Sequence, residues 1–175
     1  KSPSGTLREC AMMAIESALA LRRDGVKMPW GSIATGLERL GNAGCFDILS
    51  LSPAVIVDSA SEREEILNVL ETFEQTVEPL GNFALCIKTD SAQKLNDQLS
   101  AFEGRKIDKL IVFGLSEIEM TERLHKCAER VICESVADAA KEVYESSRKN
   151  MTVLCFGSVA FARDIKTEFI KLMGL

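Results

Sequence analysis

The sequence has a single histidine, and its six cysteines include no Cys-x-x-Cys pair. A protein zinc site is usually built from such pairs or from several histidines, so we expect no metal site on this chain. Thiols scattered singly through apolar runs are typical of proteins in a reducing compartment. The cysteine pattern therefore predicts a cytoplasmic protein.

The chain also lacks any run of positive charge and any long apolar run. Its formal net charge is −5, whereas a nucleic-acid-binding domain usually presents a basic face, so we expect no nucleic-acid partner. No apolar run is long enough to span a bilayer, and residues 1–4 are not the start of a signal peptide, so we expect no membrane partner. With 46% hydrophobic residues among 175, the chain has enough apolar side chains for one globular core.

Short apolar segments alternate with amphipathic helices along most of the chain. Two helices come first, one from about residue 4 to about residue 23 and one from about residue 29 to residue 40. The apolar segments then predict six strands: Phe46–Leu51, Ala54–Val57, Phe83–Ile87, Leu110–Phe113, Val131–Cys133 and Val153–Phe156. This alternation predicts an α/β fold with a mostly parallel sheet and helices on both faces. We expect a single domain, with residues 1–43 as a helical lead-in and residues 44–175 as the α/β sheet.

The segment from Ile33 to Leu70 has the most distinctive pattern. It predicts a helix, a glycine turn, two short strands around Ser52-Pro53, an aspartate at a strand end and another helix. It contains the sequences Gly44-Cys45-Phe46-Asp47 and Asp58-Ser59-Ala60-Ser61-Glu62-Arg63. This order and spacing resemble the start of the C-terminal domain of the folylpolyglutamate/dihydrofolate synthases, which belong to the Mur ligase superfamily. The resemblance extends over nearly the whole chain and implies a Rossmann-like fold.

Four residues of the family's pattern are replaced in this sequence. In the family, one strand opens with a Gly-Arg-aromatic-acid segment, and the next ends in Asp-x-Ala-His-Asn-Pro. Here Cys45 stands in place of the arginine, and Ser61, Glu62 and Arg63 stand in place of the histidine, asparagine and proline. A thiol cannot offer the charged, planar fork that arginine offers to a phosphate. The resemblance is therefore to a ligase domain whose chemical contacts have changed.

The resemblance implies the C-terminal, glutamate-ligase domain of an ATP-dependent amide ligase, which helps to bind nucleotide and amino acid when the domains close. The implied small-molecule substrates are glutamate and a folate-like acceptor. The sequence has no Gly-x-x-x-x-Gly-Lys-[Ser/Thr] loop and begins without methionine, so we expect a fragment that is not active alone. ATP and magnesium would then bind mainly outside this chain, on a missing N-terminal ATP-binding domain.

Ligands of an open α/β sheet gather at the carboxyl ends of its strands, where helix N-termini present free N–H groups. Four helix starts carry their own N-cap pattern, with a carboxylate or amide three residues after the cap: Ser61–Glu64, Asp90–Gln93, Ser116–Glu119 and Ser135–Asp138. The fifth start, at Gly157 and Ser158, has no acidic residue before Asp164 and has Arg163 nearby, a combination that could attract an anion. The alternative is that Ser158 is only an N-cap and Arg163 a solvated side chain.

Asp58 is the strongest single polar candidate. The resemblance places an acid at this strand end near the nucleotide ribose and the incoming amino acid, whereas the alternative is that Asp58 caps the following turn. Ser61 is expected to cap a helix rather than to act as a catalyst. No catalytic residue is predicted on this chain. The residues predicted to contact nucleotide or amino acid are Asp58, Ser61, Gly157, Ser158 and Arg163.

Two other functions remain open at this point. The replaced motif residues favour a degenerate, non-catalytic ligase-like domain that serves as a binding or structural module. A free-standing small-molecule binder that uses the last helix N-terminus is a third interpretation. A phosphate-binding loop upstream would favour the ligase, and its absence or corruption would favour the degenerate domain.

Overall fold

The computed structural model describes residues 5–39, 46–77, 82–116, 127 and 129–174. The chain divides into two compact units, Lys1–Asn42 and Ala43–Leu175. The first unit contains two helices, α1 (Gly5–Arg23) and α2 (Trp30–Arg39), as the apolar spacing predicts.

The junction between α1 and α2 is held by its own residues. Gly25 has a φ of +89°, which a residue with a side chain rarely adopts, and its N–H donates to the carbonyl of Arg22 (3.1 Å) at the end of α1. The guanidinium of Arg22 lies 4.5 Å from the centre of the Trp30 ring. This cation–π contact connects the end of α1 with the start of α2.

The second unit contains the sheet and its helices. In chain order these are β1 (Asp47–Leu51), β2 (Ala54–Asp58), α3 (Arg63–Thr76), β3 (Phe83–Lys88), α4 (Ala92–Ser100), β4 (Lys109–Phe113), β5 (Glu129–Cys133), α5 (Val136–Arg148), β6 (Thr152–Phe156) and α6 (Val159–Leu172). All six predicted strands are confirmed, each to within two residues of its predicted bounds.

The strands form one six-stranded sheet in the order β1-β2-β6-β3-β4-β5. β1 and β2 are antiparallel and pair around the Ser52-Pro53 turn, with Leu51 opposite Ala54. The other neighbouring pairs are parallel. The prediction of a mostly parallel sheet is therefore confirmed. Because β6 lies between β2 and β3, the last strand of the chain reaches the middle of the sheet.

Alternate residues of the central strands point to opposite faces of the sheet. On one face, Ile56, Leu85 and Leu154 pack with side chains of α3 and α4. On the other face, Val57 and Cys86 pack with side chains of α5 and α6. All five are at most 1% exposed. Helices therefore cover both faces, as predicted.

The amino ends of the parallel strands also lie along one side of the sheet, the amino edge, and the buried charge there is paired with opposite charges of the protein. Lys109, the first residue of β4, has a side chain only 3% exposed, and its Nζ lies 2.7 Å from Glu142 of α5 and 3.1 Å from Glu129 of β5. Burial alone would lower the pKa of Lys109, but its hydrogen bonds to the Glu142 and Glu129 carboxylates outweigh burial and hold the pKa above its usual value. This cluster ties β4, β5 and α5 together.

The start of α4 differs by one residue from the prediction. Its cap is Ser91, whose Oγ accepts the N–H of Lys94 (3.2 Å), and not Asp90. The physical reason is that Thr89 continues the ladder of β3, since its N–H donates to the carbonyl of Phe113 (3.0 Å). The strand therefore ends later than its apolar run, and the helix begins later as well.

The start of α5 agrees with the prediction. The Oγ of Ser135 accepts the N–H of Asp138 (3.1 Å), and the Ser135 hydroxyl donates to the Asp138 carboxylate (2.6 Å). The predicted cap pair Ser116–Glu119 extends beyond the described residues.

Two glycines with positive φ allow a test of how tightly the ends of β3 and β4 approach each other. Gly114 follows β4 with a φ of +98°, and a Cβ there would collide with the carbonyl oxygen of Thr89, whereas Gly104 has a φ of +82° with nothing near its Cβ position. We expect Gly104→Ala to lower the free energy of unfolding by about 1–2 kcal/mol, the cost of a left-handed residue with a side chain. Gly114→Ala should cost roughly twice as much or more, because the strand ends must separate. Urea unfolding measures both losses, and equal losses would contradict the role of the close approach.

Candidate functional site

The carboxyl ends of β2, β6, β3 and β4 lie at one edge of the sheet because these strands are parallel. The register places Phe156 of β6 beside both Asp58 of β2 and Ile87 of β3. The apolar runs end here, so polar residues come together at this edge. We call it the carboxyl edge, and it comprises Asp58, Lys88 and the segment Gly157-Ser158.

Asp58 holds two turns of the chain together. It is 7% exposed, its Oδ1 accepts the N–H of Ala60 (2.7 Å), and its Oδ2 accepts the N–H of Phe46 (2.6 Å). Phe46 has a φ of +49°, which a bulky residue rarely adopts, so this hydrogen bond stabilises an unfavourable conformation just before β1. The bond to Ala60 is the turn cap that the sequence offered as the alternative. Asp58 therefore has a structural role, and its contact with a ligand stays a prediction.

The surroundings of Asp58 compensate its negative charge only in part. Burial raises the pKa of Asp58, and the N–H groups of Ala60 and Phe46 oppose this rise without cancelling it. The carboxylates of Glu65 and Asp47 raise the pKa further. An ammonium or hydroxyl group of a ligand is the kind of donor that such a carboxylate binds.

The predicted cap at Ser61 is wrong by one residue. α3 is capped at Glu62, and the Oε2 of Glu65 accepts the N–H groups of both Ser61 (2.9 Å) and Glu62 (3.2 Å). The physical reason is the turn that Asp58 closes with Ala60, which takes up one more residue before the helix can begin. The Ser61 hydroxyl lies 3.5 Å from Oε1 of Glu62, and its contact with a ligand stays a prediction.

Ser158 caps α6 at the carboxyl edge. Its Oγ accepts the N–H of Phe161 (3.3 Å), and the first turn of α6 contains no acidic residue. Gly157 is explained by packing, because a Cβ there would lie 2.6 Å from Cδ1 of Phe161 and 2.8 Å from Cβ of Lys88. The backbone of β6 therefore comes close to β3 where both strands end.

Arg163 lies on α6, one turn beyond the cap. Its side chain is 66% exposed, and its Nε lies 3.1 Å from Oδ1 of Asp164. The structure therefore shows what the alternative interpretation predicts, with Ser158 as an N-cap and Arg163 exposed to solvent. An anion site at this helix start stays a prediction.

Lys88 is a further candidate that the sequence alone does not reveal. Its side chain is half-buried beside Gly157, and no ion pair among the described residues includes it, whereas Lys94 pairs with Glu62 (3.3 Å). The Cβ of Lys88 lies beside Gly157, just before α6, and an ammonium that reached the positive end of the α6 dipole would favour a bound anion. In the sequence, Lys88 is recognisable only as a lysine directly after the apolar run Phe83–Ile87. This pattern cannot show that Lys88 lies near Gly157, because that proximity depends on the strand order.

The described part of the chain offers no group of three Cys, His, Asp or Glu side chains that could hold a metal ion. Cys86, Cys127, Cys133 and Cys155 are free thiols. Burial raises the pKa of Cys133 to about 12, which keeps it in the unreactive thiol form. Cys45, in the position of the family's arginine, lies outside the described residues. Among the described helices, none is long and apolar enough to cross a membrane.

The sheet and its carboxyl edge place this chain in the Rossmann-like α/β class, in which ligands bind at that edge. The structure is similar to the bifunctional folylpolyglutamate synthase/dihydrofolate synthase of Yersinia pestis, solved with AMPPNP and manganese, with a TM-score of 0.63 and 18% identity over 89% of this chain. It is also similar to the folylpolyglutamate synthase of Thermotoga maritima, with a TM-score of 0.60 and 17% identity over 90% of this chain. No protein-family model matches the chain, and no curated protein matches its sequence.

A third similar structure is that of a domain described as coming from a UDP-N-acetylmuramate:L-alanyl-gamma-D-glutamyl-meso-diaminopimelate ligase of Haemophilus ducreyi. It gives a TM-score of 0.50 and 12% identity, over 73% of this chain and 98% of that domain. In contrast, this chain spans only 38% of the Yersinia pestis protein and 37% of the Thermotoga maritima protein. At these identities the likeness establishes the fold alone, so the Rossmann-like fold that the resemblance implies is confirmed.

The raised pKa of Asp58 predicts a pH dependence of stability. The folded state binds the proton of the Asp58 carboxyl more tightly than the unfolded state does. Asp58 therefore stabilises the fold less as the pH rises from the pKa of the unfolded state, near 3.8, through the pKa of the folded state. We expect the free energy of unfolding of the native protein, relative to that of Asp58→Asn, to fall over this window. Urea unfolding at a series of pH values from about 3 to 7 measures the difference.

Asp108 provides a matched control with the opposite sign. Its hydrogen bond from Lys106 and the N–H of Phe83 hold the pKa of Asp108 below its usual value of 3.8. The contribution of Asp108 to the free energy of unfolding is therefore fully present above pH 3.8 and is lost as the pH falls through the pKa of the folded state. The native protein should lose stability relative to Asp108→Asn on acidification. The same sign for both variants would contradict the assignment at Asp58.

Proposed function

We propose that this chain is the C-terminal domain of an ATP-dependent amide ligase of the folylpolyglutamate/dihydrofolate synthase type. The observation that carries the proposal is the likeness of 89% of this chain to 38% of the Yersinia pestis synthase. An N-terminal domain would hold most of the ATP and magnesium, and magnesium would supply neutralisation of the phosphate charge. The buried free thiols suit a cytoplasmic location.

The proposed reaction joins the carboxylate of a folate-like acceptor to the amino group of glutamate. The carboxylate takes the γ-phosphoryl group of ATP, which gives an acyl phosphate and ADP. The glutamate nitrogen then attacks the acyl carbon, phosphate leaves, and the nitrogen loses a proton. Because water would hydrolyse the acyl phosphate, closure of this domain over the reacting groups keeps the reaction productive.

The two sides of the carboxyl edge suit ligand groups of opposite charge. Lys88 and the N-terminus of α6 would attract an anion, either a nucleotide phosphate or a carboxylate of glutamate. Asp58 would attract the ammonium group of glutamate or the ribose hydroxyls of the nucleotide. Glu62 and Glu65 make the start of α3 negative, so we assign the anion to the α6 side.

The other predicted contacts surround these two positions. Gly157 and Ser158 lie at the start of α6, and the first N–H groups of a helix have no carbonyl partner within the helix. Ser61 is half-buried in the turn after β2, and Arg163 is exposed on α6, so both would meet a ligand when the domains close.

ADP release by the full-length protein is the experiment that tests the proposal. We expect ADP formation from ATP to require both glutamate and a dihydropteroate or folate acceptor. ADP formation without this dependence would contradict the amide-ligase reaction. If folded protein releases no substrate-dependent ADP, the degenerate, non-catalytic domain becomes the better account.

Lys88→Met tests the anion contact at the carboxyl edge. Losing one charge-assisted hydrogen bond costs about 1.5–3 kcal/mol, so we expect the KM for glutamate or ATP to rise by roughly tenfold or more. Unfolding stability should change by less than about 0.5 kcal/mol, since no ion pair among the described residues is lost. Steady-state kinetics and urea unfolding measure the two effects.

Lys149→Met is the matched control for Lys88→Met. Lys149 is exposed at the end of α5, just before β6 begins, and so lies at the opposite edge of the sheet. Its replacement should leave both KM values unchanged. If the two variants behave alike, Lys88 does not contact the anion.

A further inference from the structure

Gln98 connects two parts of the carboxyl edge from inside the protein. It lies in α4 and is 1% exposed, and its Nε2 lies 2.9 Å from the carbonyl oxygen of Ser61 and 3.4 Å from that of Lys88. Both partners are acceptors, so the nitrogen of the amide must point toward them. One buried side chain therefore joins the turn after β2 to the end of β3.

The oxygen of the same amide distinguishes Gln98 from an ordinary packing residue. Oε1 is buried and has no hydrogen-bond donor among the described residues. Burying an acceptor without a donor destabilises a fold, and an apolar side chain of similar length would avoid that cost. An apolar side chain would, however, also remove the donor from the carbonyls of Ser61 and Lys88, so what the glutamine contributes is its two directed contacts.

Other polar contacts between the same parts of the chain lie at the surface. The Nε of Arg63 donates to Oγ of Ser100 (3.0 Å), and Lys94 pairs with Glu62 (3.3 Å). Such exposed contacts hold a turn weakly, because water competes for the same groups. Gln98 is itself buried, so water competes less for its contacts and they hold the turn more rigidly.

We propose that Gln98 is a positioning residue for the ligand-binding edge. Its bond to the Ser61 carbonyl fixes the turn that follows Asp58, and its bond to the Lys88 carbonyl fixes the end of β3 relative to that turn. Asp58 and Lys88, which suit opposite charges of the ligands, are thereby kept at a constant separation. The role in ligand binding rests on the proposed function, whereas the effect on the turn does not.

Gln98→Met in the full chain tests the effect on the turn. Methionine keeps the length of the side chain and removes both hydrogen bonds together with the unpaired acceptor. We expect the backbone amides of Ala60, Ser61 and Glu62 to exchange with solvent about tenfold faster or more, measured by NMR. The amide of Leu85 in the core of β3 should keep its exchange rate or exchange more slowly.

Gln93→Met is the control, because Gln93 is exposed on the same helix. It should change exchange neither in the turn nor at Leu85. The proposal is overturned if Gln98→Met speeds exchange in the turn and at Leu85 by the same factor, which would indicate only a global loss of stability. Unchanged exchange rates at Ala60, Ser61 and Glu62 in Gln98→Met would overturn the proposal as well.

Kinetics of the full-length protein test the role in binding. If it has the proposed ligase activity, Gln98→Met should raise the KM for glutamate or ATP by about fivefold or more, with kcat changed by less than about twofold. An unchanged KM in a variant with a loosened turn would overturn the role in binding. A native protein with no ligase activity would count against the proposed function alone, because the exchange result does not depend on it.

Discussion

A parallel sheet covered on both faces leaves no place for polar side chains within it, and this constraint decides where the chemistry of the protein can lie. The backbone groups of the central strands are taken up by the ladder, and the side chains between the strand ends are apolar and buried. Polar residues return at the strand ends, with Lys109 at an amino end and Asp58 and Lys88 at carboxyl ends. The pattern that makes the fold therefore also locates the site.

The two edges of the sheet differ in how far the chain satisfies its own charges. At the amino edge, two carboxylates surround Lys109, so the cluster is complete without a ligand. At the carboxyl edge, Asp58 has two backbone N–H donors but also two nearby carboxylates, and Lys88 has no carboxylate within the described ion pairs. A partly compensated charge gains more from a ligand of opposite charge than a fully compensated one does. This contrast distinguishes a candidate binding edge from a structural one.

The strands can be predicted from the sequence because five of the six predicted segments, such as Leu110–Phe113, are uninterrupted apolar runs between polar segments. The helix starts at Ser135 and Ser158 can be predicted as well, but the start of α3 cannot. The turn before α3 depends on Asp58, and the carbonyl of Ser61 in this turn accepts a hydrogen bond from Gln98, 37 residues away. A local cap pattern contains no information about such a partner. The role of Lys88 cannot be predicted from the sequence for the same reason, since Lys88 lies near Gly157 only because β6 lies beside β3.

One residue that differs from the resembled family's pattern adds negative charge next to the carboxyl edge. Glu62 stands where the resembled family has asparagine, and with Glu65 it makes the start of α3 negative, whereas the first turn of α6 has no acid. In the proposed ligase, an anion would therefore be directed toward α6 and Lys88. A lysine supplies charge without the directional fork of an arginine. A ligand bound in this way is oriented less by the cation itself, so the orientation must come from the rigidity of the edge, which is the role we assign to Gln98.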